Sequence, residues 1–197
     1  MGVEWETDRE VWRRATGADP RAFALIFDRY HLRVRAYCRQ LLGESVDAED
    51  AAAVVFLEAW RKRADVRFVN DSLAAWLLVV ALNVTRNIGR GRRRYERMLR
   101  TLPPPVNAPD PAVTVAAAAA SAERSRTIRA ALTMLRPADQ QILALCVIEQ
   151  LTLEEAAAVL RIPVGTVKSR LSRARGRLRD EFTRRRTLPH TFRPAEY

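Results

Sequence analysis

Read for the spacing of apolar positions alone, the chain is helical over most of its length. Phe23, Phe27, Tyr30, Val34, Tyr37 and Leu41 recur alternately four and three residues apart, the period of one buried helix face. Asp19-Pro20 supplies an N-cap and a proline at the first helical position, and Gly43 supplies a stop. A shorter helix, Asp8 to Ala15, precedes it. The next begins at Ser45 or Asp47, with Ala48, Ala52, Val55, Phe56, Ala59 and Trp60 inward and Glu49, Asp50 and Glu58 opposite. Val66 to Asp71 breaks the pattern and reads as a loop. From Asp71 or Ser72 a third long helix buries Leu73, Trp76, Leu77, Val80, Val84 and Ile88. Leu78, Val79 and Leu82 crowd it further, so it is buried on most sides or shows an apolar face to a partner.

Pro103, Pro104, Pro105, Pro109 and Pro111 exclude regular structure and mark a linker. Beyond it, a helix runs through Ala116–Ala120 to Ile128, Ala131, Leu132 and Leu135. Arg136-Pro137 then restarts the chain into Ile142, Leu145, Cys146 and Ile148. Thr152 with Glu155 three residues later is a capping-box signature, followed by Leu153, Ala156, Ala157 and Leu160 at helical spacing. Ile162-Pro163 ends that helix, since the residue before a proline is driven from the α region. A second helix starts near Gly165-Thr166. Helix, short turn, helix is the helix-turn-helix plan. The fold predicted is therefore all-α: two small helical domains joined by a proline-rich linker, the C-terminal one holding a helix-turn-helix. The boundaries read as 1–98, a linker and helix lead-in at 99–124, 125–186, and a loose tail at 187–197.

Along the last helix Val167, Leu171, Ala174 and Leu178 form a narrow inward stripe. Ser169, Ser172 and Gly176 centre the opposite side, with Lys168, Arg173 and Arg179 beside them and Arg170, Arg175 and Arg177 at the flanks. Small residues let a helix backbone sink into a groove, while basic edges reach phosphates and polar side chains read bases.

Charge sharpens this picture. Of a formal +11, most lies in two places. Residues 86–100 carry seven arginines against Glu96, and residues 161–186 carry ten basic residues against Asp180 and Glu181. Two separated basic patches suit a polyanion touched twice. Apolar residues make up 48% of the chain but aromatics only 7%, which with abundant Ala and Leu favours helix over sheet.

Other chemistry finds little support. Cys38 and Cys146 lack partners at metal or redox spacing, and His31 and His190 read as surface or packing residues. No phosphate-binding glycine loop appears, so no catalytic residue, metal or cofactor is expected. The acidic N-terminus lacks an apolar signal core, and Trp76 to Leu82 is too short to span a bilayer, so the chain reads as soluble and cytoplasmic.

The whole arrangement resembles the bacterial extracytoplasmic-function sigma factors, promoter-specificity subunits of RNA polymerase. Asp47-Ala48-Glu49-Asp50 through Phe56-Leu57-Glu58-Ala59-Trp60 is similar to the family's polymerase-binding segment. Ala75-Trp76-Leu77 with Asn83 is similar to its −10 segment, and Ile162 to Leu171 with Arg173-Ala174-Arg175 to its −35 reader. The resemblance implies polymerase contacts at Asp47, Glu49, Asp50, Glu58 and Trp60. It implies −10 contacts at Phe68, Asn70, Asn83, Arg86, Asn87 and Arg90. It implies −35 contacts at Thr166, Lys168, Ser169, Arg170, Ser172, Arg173 and Arg175. The partners implied are core polymerase, promoter DNA and a sequestering anti-sigma factor, with no membrane insertion and no small-molecule substrate. The chain departs from the family pattern at Ala53 and Val54, where glutamine and glutamate are frequent. It departs again at Arg161, which replaces a glycine and is strained if left-handed. The rival reading is a free-standing helix-turn-helix regulator, which leaves the second basic patch and the acidic helix without a role.

Overall fold

Four helices build the N-terminal half. In the computed structural model they are α1 (Asp8–Thr16), α2 (Pro20–Leu42), α3 (Asp47–Arg61) and α4 (Ala74–Leu99). The structure describes residues 6–17, 19–43, 47–99 and 129–187. The expected cap Ser45, the proline linker, the alanine tract and the tail beyond 187 lie outside these residues.

The ends of these helices follow their local chemistry. Asp19 caps α2, its Oδ1 accepting from the Arg21 amide at 3.0 Å. Gly43 ends α2 at φ 97°, in the left-handed region, and a Cβ there would stand 2.8 Å from Arg129 Nη1. At α1 the capping box belongs to Thr7 and Glu10, one residue ahead of the expected start. Asp8 instead turns inward, only 4% exposed. It accepts from the Leu73 amide at 2.7 Å and from the Tyr30 hydroxyl and Arg29 guanidinium. One carboxylate thus ties α1 and α2 to the entry of α4. Burial, with the Asp8 hydrogen bond, pushes the Tyr30 hydroxyl up to about 12.

The loop expected at 66–71 is a tight turn. Val69 and Ser72 pair through both amides, at 3.1 and 2.9 Å, across Asn70 and Asp71 at φ 51° and 55°. Asn and Asp are the side chains that best tolerate left-handed backbone. Ile26, Val34, Val55, Leu73, Leu77 and Leu78 are fully buried between the four helices. Each such burial contributes about 1.5–3 kcal/mol. The crowding of α4 resolves both ways: Leu78 and Leu82 enter this core, whereas Ala75 and Val79 face the C-terminal half.

That half comprises α5 (helical residues 129–133), α6 (Pro137–Leu143), α7 (Leu153–Leu160) and α8 (Val164–Thr187). A wider π-helical turn, Ala144–Ile148, follows α6. The extra residue in that turn shifts the phase of the inward stripe. Leu143, Ala144 and Leu145 are buried, and Ile148 is 45% exposed. The Thr152–Glu155 capping box forms as its spacing predicts. Arg161 does end α7 in the left-handed conformation, at φ 52° and ψ 49°. Leu135, Ile142, Leu145, Val159, Val167, Leu171 and Ala174 make the second core. No described helix is long and apolar enough to cross a membrane.

Candidate nucleic-acid interface

Val167, Leu171 and Ala174 anchor α8 to the core, so helical geometry turns its far side outward. Lys168, Ser169, Ser172, Arg173 and Arg175 are exposed there, with Thr166 and Arg170 half-buried. Ser169 Oγ donates to the Thr166 carbonyl at 3.1 Å, and Arg173 Nε donates to the Ser169 carbonyl at 3.2 Å. A Cβ on Gly176 would meet nothing within 4 Å, so no packing among the described residues calls for a glycine there. A polar, small-centred, cation-edged face suits a helix entering a major groove. Arg177 leaves that set. It binds the buried Asp139 at 2.8 Å and fastens α8 to α6.

The second group lies along the turn after α3 and the outer side of α4. Phe68 is half-buried beneath the Arg9 guanidinium, 4.8 Å from its ring centroid. Asn70 Nδ2 donates to Glu155 Oε1 at 2.8 Å, and Asn83 Oδ1 accepts from Gln141 Nε2 at 3.2 Å. Asn87 is exposed and accepts from Arg90 at 2.7 Å. Arg86 is half-buried, and its Nε is enclosed without a hydrogen-bond partner. Arg86, Arg90 and Arg93 line one wall of a 460 Å³ cleft whose other wall is Leu132, Leu135 and Gln140. The structure therefore gathers Asn70, Asn83, Arg86 and Arg90 along one seam between the halves.

On α3, Glu49 and Asp50 are exposed. Glu49 meets His31 at 3.0 Å and Arg35 at 3.4 Å, and His31 stacks on Phe27. Glu58 binds Arg61 at 2.7 Å and Lys62 at 3.5 Å. Trp60 packs its edge on Phe23 and lies under the Arg63 guanidinium. Asp47 opens the helix. Ala53, Phe56, Leu57 and Trp60 of the same helix line, with Phe23 and Phe27 of α2, an apolar groove of 570 Å³. Leu57 is 64% exposed at its rim. The sequence signal for this groove was present: Leu57 is apolar yet falls outside the inward stripe.

Among the described residues no group of histidine, cysteine or acidic side chains could hold a metal. Cys38 and Cys146 are both free thiols, and burial raises both, Cys38 to about 12. Neither is disposed to act as a nucleophile.

With the geometry in place, comparison with known proteins is direct. Residues 26–95 match the family model for Sigma-70 region 2, and residues 125–178 match that for Sigma-70, region 4. The chain is 31% identical over 178 residues to the ECF RNA polymerase sigma factor SigW of Bacillus subtilis, covering 83% of this chain and 90% of that one. It is 27% identical to the RNA polymerase sigma-H factor of Pseudomonas aeruginosa, covering 86% and 91%. Among solved structures it resembles the sigma factor RpoE bound to the anti-sigma factor NepR from Bartonella quintana. That match has a TM-score of 0.52 and 26% identity, over 82% of this chain and 96% of that one. CnrH, solved with the cytosolic domain of CnrY, shares the fold at a TM-score of 0.61 and 24% identity, over 91% and 99%.

Proposed function

This chain belongs to the ECF sigma factors of RNA polymerase, and from that premise we propose how its residues divide the work. The protein binds core polymerase, recognises the −35 and −10 promoter elements and starts transcription initiation. It works as a specificity subunit in the cytoplasm, and no catalytic role is assigned to any residue.

The −35 element falls to α8. Thr166, Lys168, Ser169, Arg170, Ser172, Arg173 and Arg175 lie on or beside its outward side, and that exposed face is the observation that carries the reading. The −10 element falls to the turn and outer α4. Phe68 and Asn70 hold an unstacked base, Asn83 reads another, and Arg86, Asn87 and Arg90 hold the backbone. Core polymerase docks on α3 through Asp47, Glu49, Asp50, Glu58 and Trp60, the last of which lines the apolar groove. An apolar groove on a helix that also exposes Glu49 and Asp50 suits an amphipathic helix carrying basic residues at its edges. The functional boundaries proposed are 1–98 for polymerase and −10 work and 125–186 for −35 work, with 99–124 as linker and 187–197 as tail. A sequestering anti-sigma partner follows from the solved relatives bound to such proteins.

The test is co-purification with core polymerase followed by transcription from templates randomised at each element. Recovery of a polymerase complex with base preference at two elements is expected. Tight, specific duplex binding by the isolated chain, without polymerase association, would replace this reading with a free-standing helix-turn-helix regulator.

A further inference from the structure

The turn that carries Phe68 and Asn70 is held in place by residues far from it in the sequence. Asn70 and Asp71 stand in the left-handed region at φ 51° and 55°. Backbone of that kind is costly for a residue with a side chain and persists where its surroundings hold it. The turn itself contributes the Val69–Ser72 pair. Further ties come from α1 and α2. On the exposed side, Arg9 Nε donates to Asp71 Oδ1 at 2.7 Å, and the same guanidinium lies over the Phe68 ring. On the buried side, Asp8 accepts from the Leu73 amide at 2.7 Å. The Tyr30 hydroxyl, itself bonded to Asp8, lies 3.0 Å from Ser72 Oγ.

Two adjacent residues of α1 thus grip the turn from opposite sides, and α1 is well placed to bear on it. The Thr7–Glu10 capping box fixes the first helical turn, where Asp8 and Arg9 sit. Val11, Trp12 and Ala15 are buried in the N-terminal core. Trp12 Nε1 donates to the Arg63 carbonyl at 3.2 Å, a few residues ahead of the turn. Arg29 of α2 pairs with the other oxygen of Asp8. The helix lies before residues 26–95, so the match to region 2 gives it no role.

We infer that α1 is part of the −10 reader: Asp8 and Arg9 are positioning residues that hold the turn from its buried and exposed sides, so that Phe68 and Asn70 meet the strand in a single arrangement. A ring and an amide fixed beforehand leave less ordering for binding to supply, and they discriminate among bases because they cannot shift to suit each one. The inference rests on the assignment of Phe68 and Asn70 to the −10 strand proposed above.

The test uses core polymerase reconstituted with the full chain, transcribing a template pool randomised through both promoter elements. Thermal unfolding of each free chain runs alongside. Arg9→Ala is expected to lower base discrimination at the −10 element about fivefold and to leave the −35 element unchanged. Its melting temperature should stay within about 2 °C of the parent, because an exposed ion pair adds little to folding. Asp8 is read through Tyr30→Phe, since removing the buried carboxylate would strand the Leu73 amide and Arg29. Tyr30→Phe changes no charge and should lower −10 discrimination about twofold. Phe68→Ala is the reference, and adding Arg9→Ala to it should cost nothing further, because Arg9 acts through the ring. Additive losses overturn the inference by making Arg9 an independent contact with DNA. Equal losses at both elements overturn it in favour of general phosphate attraction. Lower melting temperatures with intact −10 preference overturn it by leaving α1 a purely structural helix. If Phe68→Ala lowers −10 discrimination while Arg9→Ala and Tyr30→Phe do not, the inference alone fails. If Phe68→Ala has no effect either, the −10 assignment of the turn falls with it.

Discussion

The two reading faces proposed for this protein are held in opposite conditions. The −35 face of α8 is turned away from the rest of the chain, with Lys168, Ser169, Ser172 and Arg173 exposed. The −10 face meets the chain's own C-terminal half, through Asn70 and Asn83. The difference follows from how each is built. On α8 the buried Val167, Leu171 and Ala174 all belong to one core. On α4 apolar side chains run around more of the circumference, so Ala75 and Val79 remain to be covered after the N-terminal core is complete. A face that lies beside uncovered apolar surface is closed off when that surface finds a partner. On the proposed assignment, the −35 face stands clear of the other half of the chain and the −10 face lies against it.

The change expected to break this contrast most completely is Val167→Asp. Val167 is fully buried where α8 meets α6 and α7. An unpaired carboxylate there costs several kcal/mol, enough to unfold a small helical unit. The −35 reader is then lost, and the seam loses its C-terminal side, so the −10 face opens. Circular dichroism should show partial melting, with retained or increased binding of single-stranded DNA. Loss of both activities together would mean that α4 cannot stand without its cover.

Two alanine substitutions sharpen the contrast by separating the faces. Arg173→Ala should cost about 1–3 kcal/mol and relax base preference at the −35 element alone. Asn83→Ala should blur preference at the −10 element alone and lower open-complex formation, with polymerase affinity unchanged. It also removes the Gln141 contact, worth about 0.5–1.5 kcal/mol, so the seam loosens slightly. Transcription from templates randomised at one element at a time reads both outcomes. A loss spread over both elements from either change would deny that the faces act separately.

How much of this was legible beforehand depends on the range of the interaction. The Asp19 cap, the Gly43 stop and the Thr152–Glu155 box each need only residues a few positions apart, and each formed as read. The left-handed Arg161, open in the sequence, is supplied by the structure. The seam needs Asn70 beside Glu155 and Asn83 beside Gln141, pairs joined by no period or motif. Asp8 shows the same limit: as a residue it reads as a helix start, but its partners Tyr30 and Leu73 come from two other helices. The π turn at Ala144–Ile148 was hidden for another reason. A stripe counted at 3.6 residues per turn cannot reveal where one residue is inserted, so the exposure of Ile148 is not readable from its spacing.

Arg161→Gly is a smaller perturbation. Glycine relieves the left-handed strain, by about 1 kcal/mol, and removes the cation beside Arg67. Thermal unfolding should rise by a few degrees and the closed form should tighten, so affinity for single-stranded DNA falls while −35 preference is untouched. A lower melting temperature would show that the Arg161 side chain contributes more elsewhere than the strain removes.

The smallest expected effect is the dependence of closure on pH, and it runs in two directions. Burial raises the Glu149 carboxyl, outweighing the pull of Arg33. A group whose pKa is raised in the closed form favours that form as pH falls through the raised value, because the closed form then binds the proton more tightly. Glu155 is lowered, first by its bond with the Thr152 backbone and next by Asn70. The Thr152 share belongs to α7 and persists on opening; the Asn70 share exists only across the seam. For that share the sign reverses: closure is favoured above the ordinary carboxylate range and weakens as pH falls through and below it. Acidification from neutrality should therefore first tighten the particle and then loosen it, with the turning point near the ordinary carboxylate value. Energy transfer between dyes on the two domains would follow this directly. Glu149→Gln should abolish the tightening limb, and Glu155→Gln, whose amide still completes the capping box, should flatten the loosening limb. A single monotonic loosening in all three proteins would mean that the seam's carboxylates do not govern its closure, and that the apolar contacts of Ala75 and Val79 hold it by themselves.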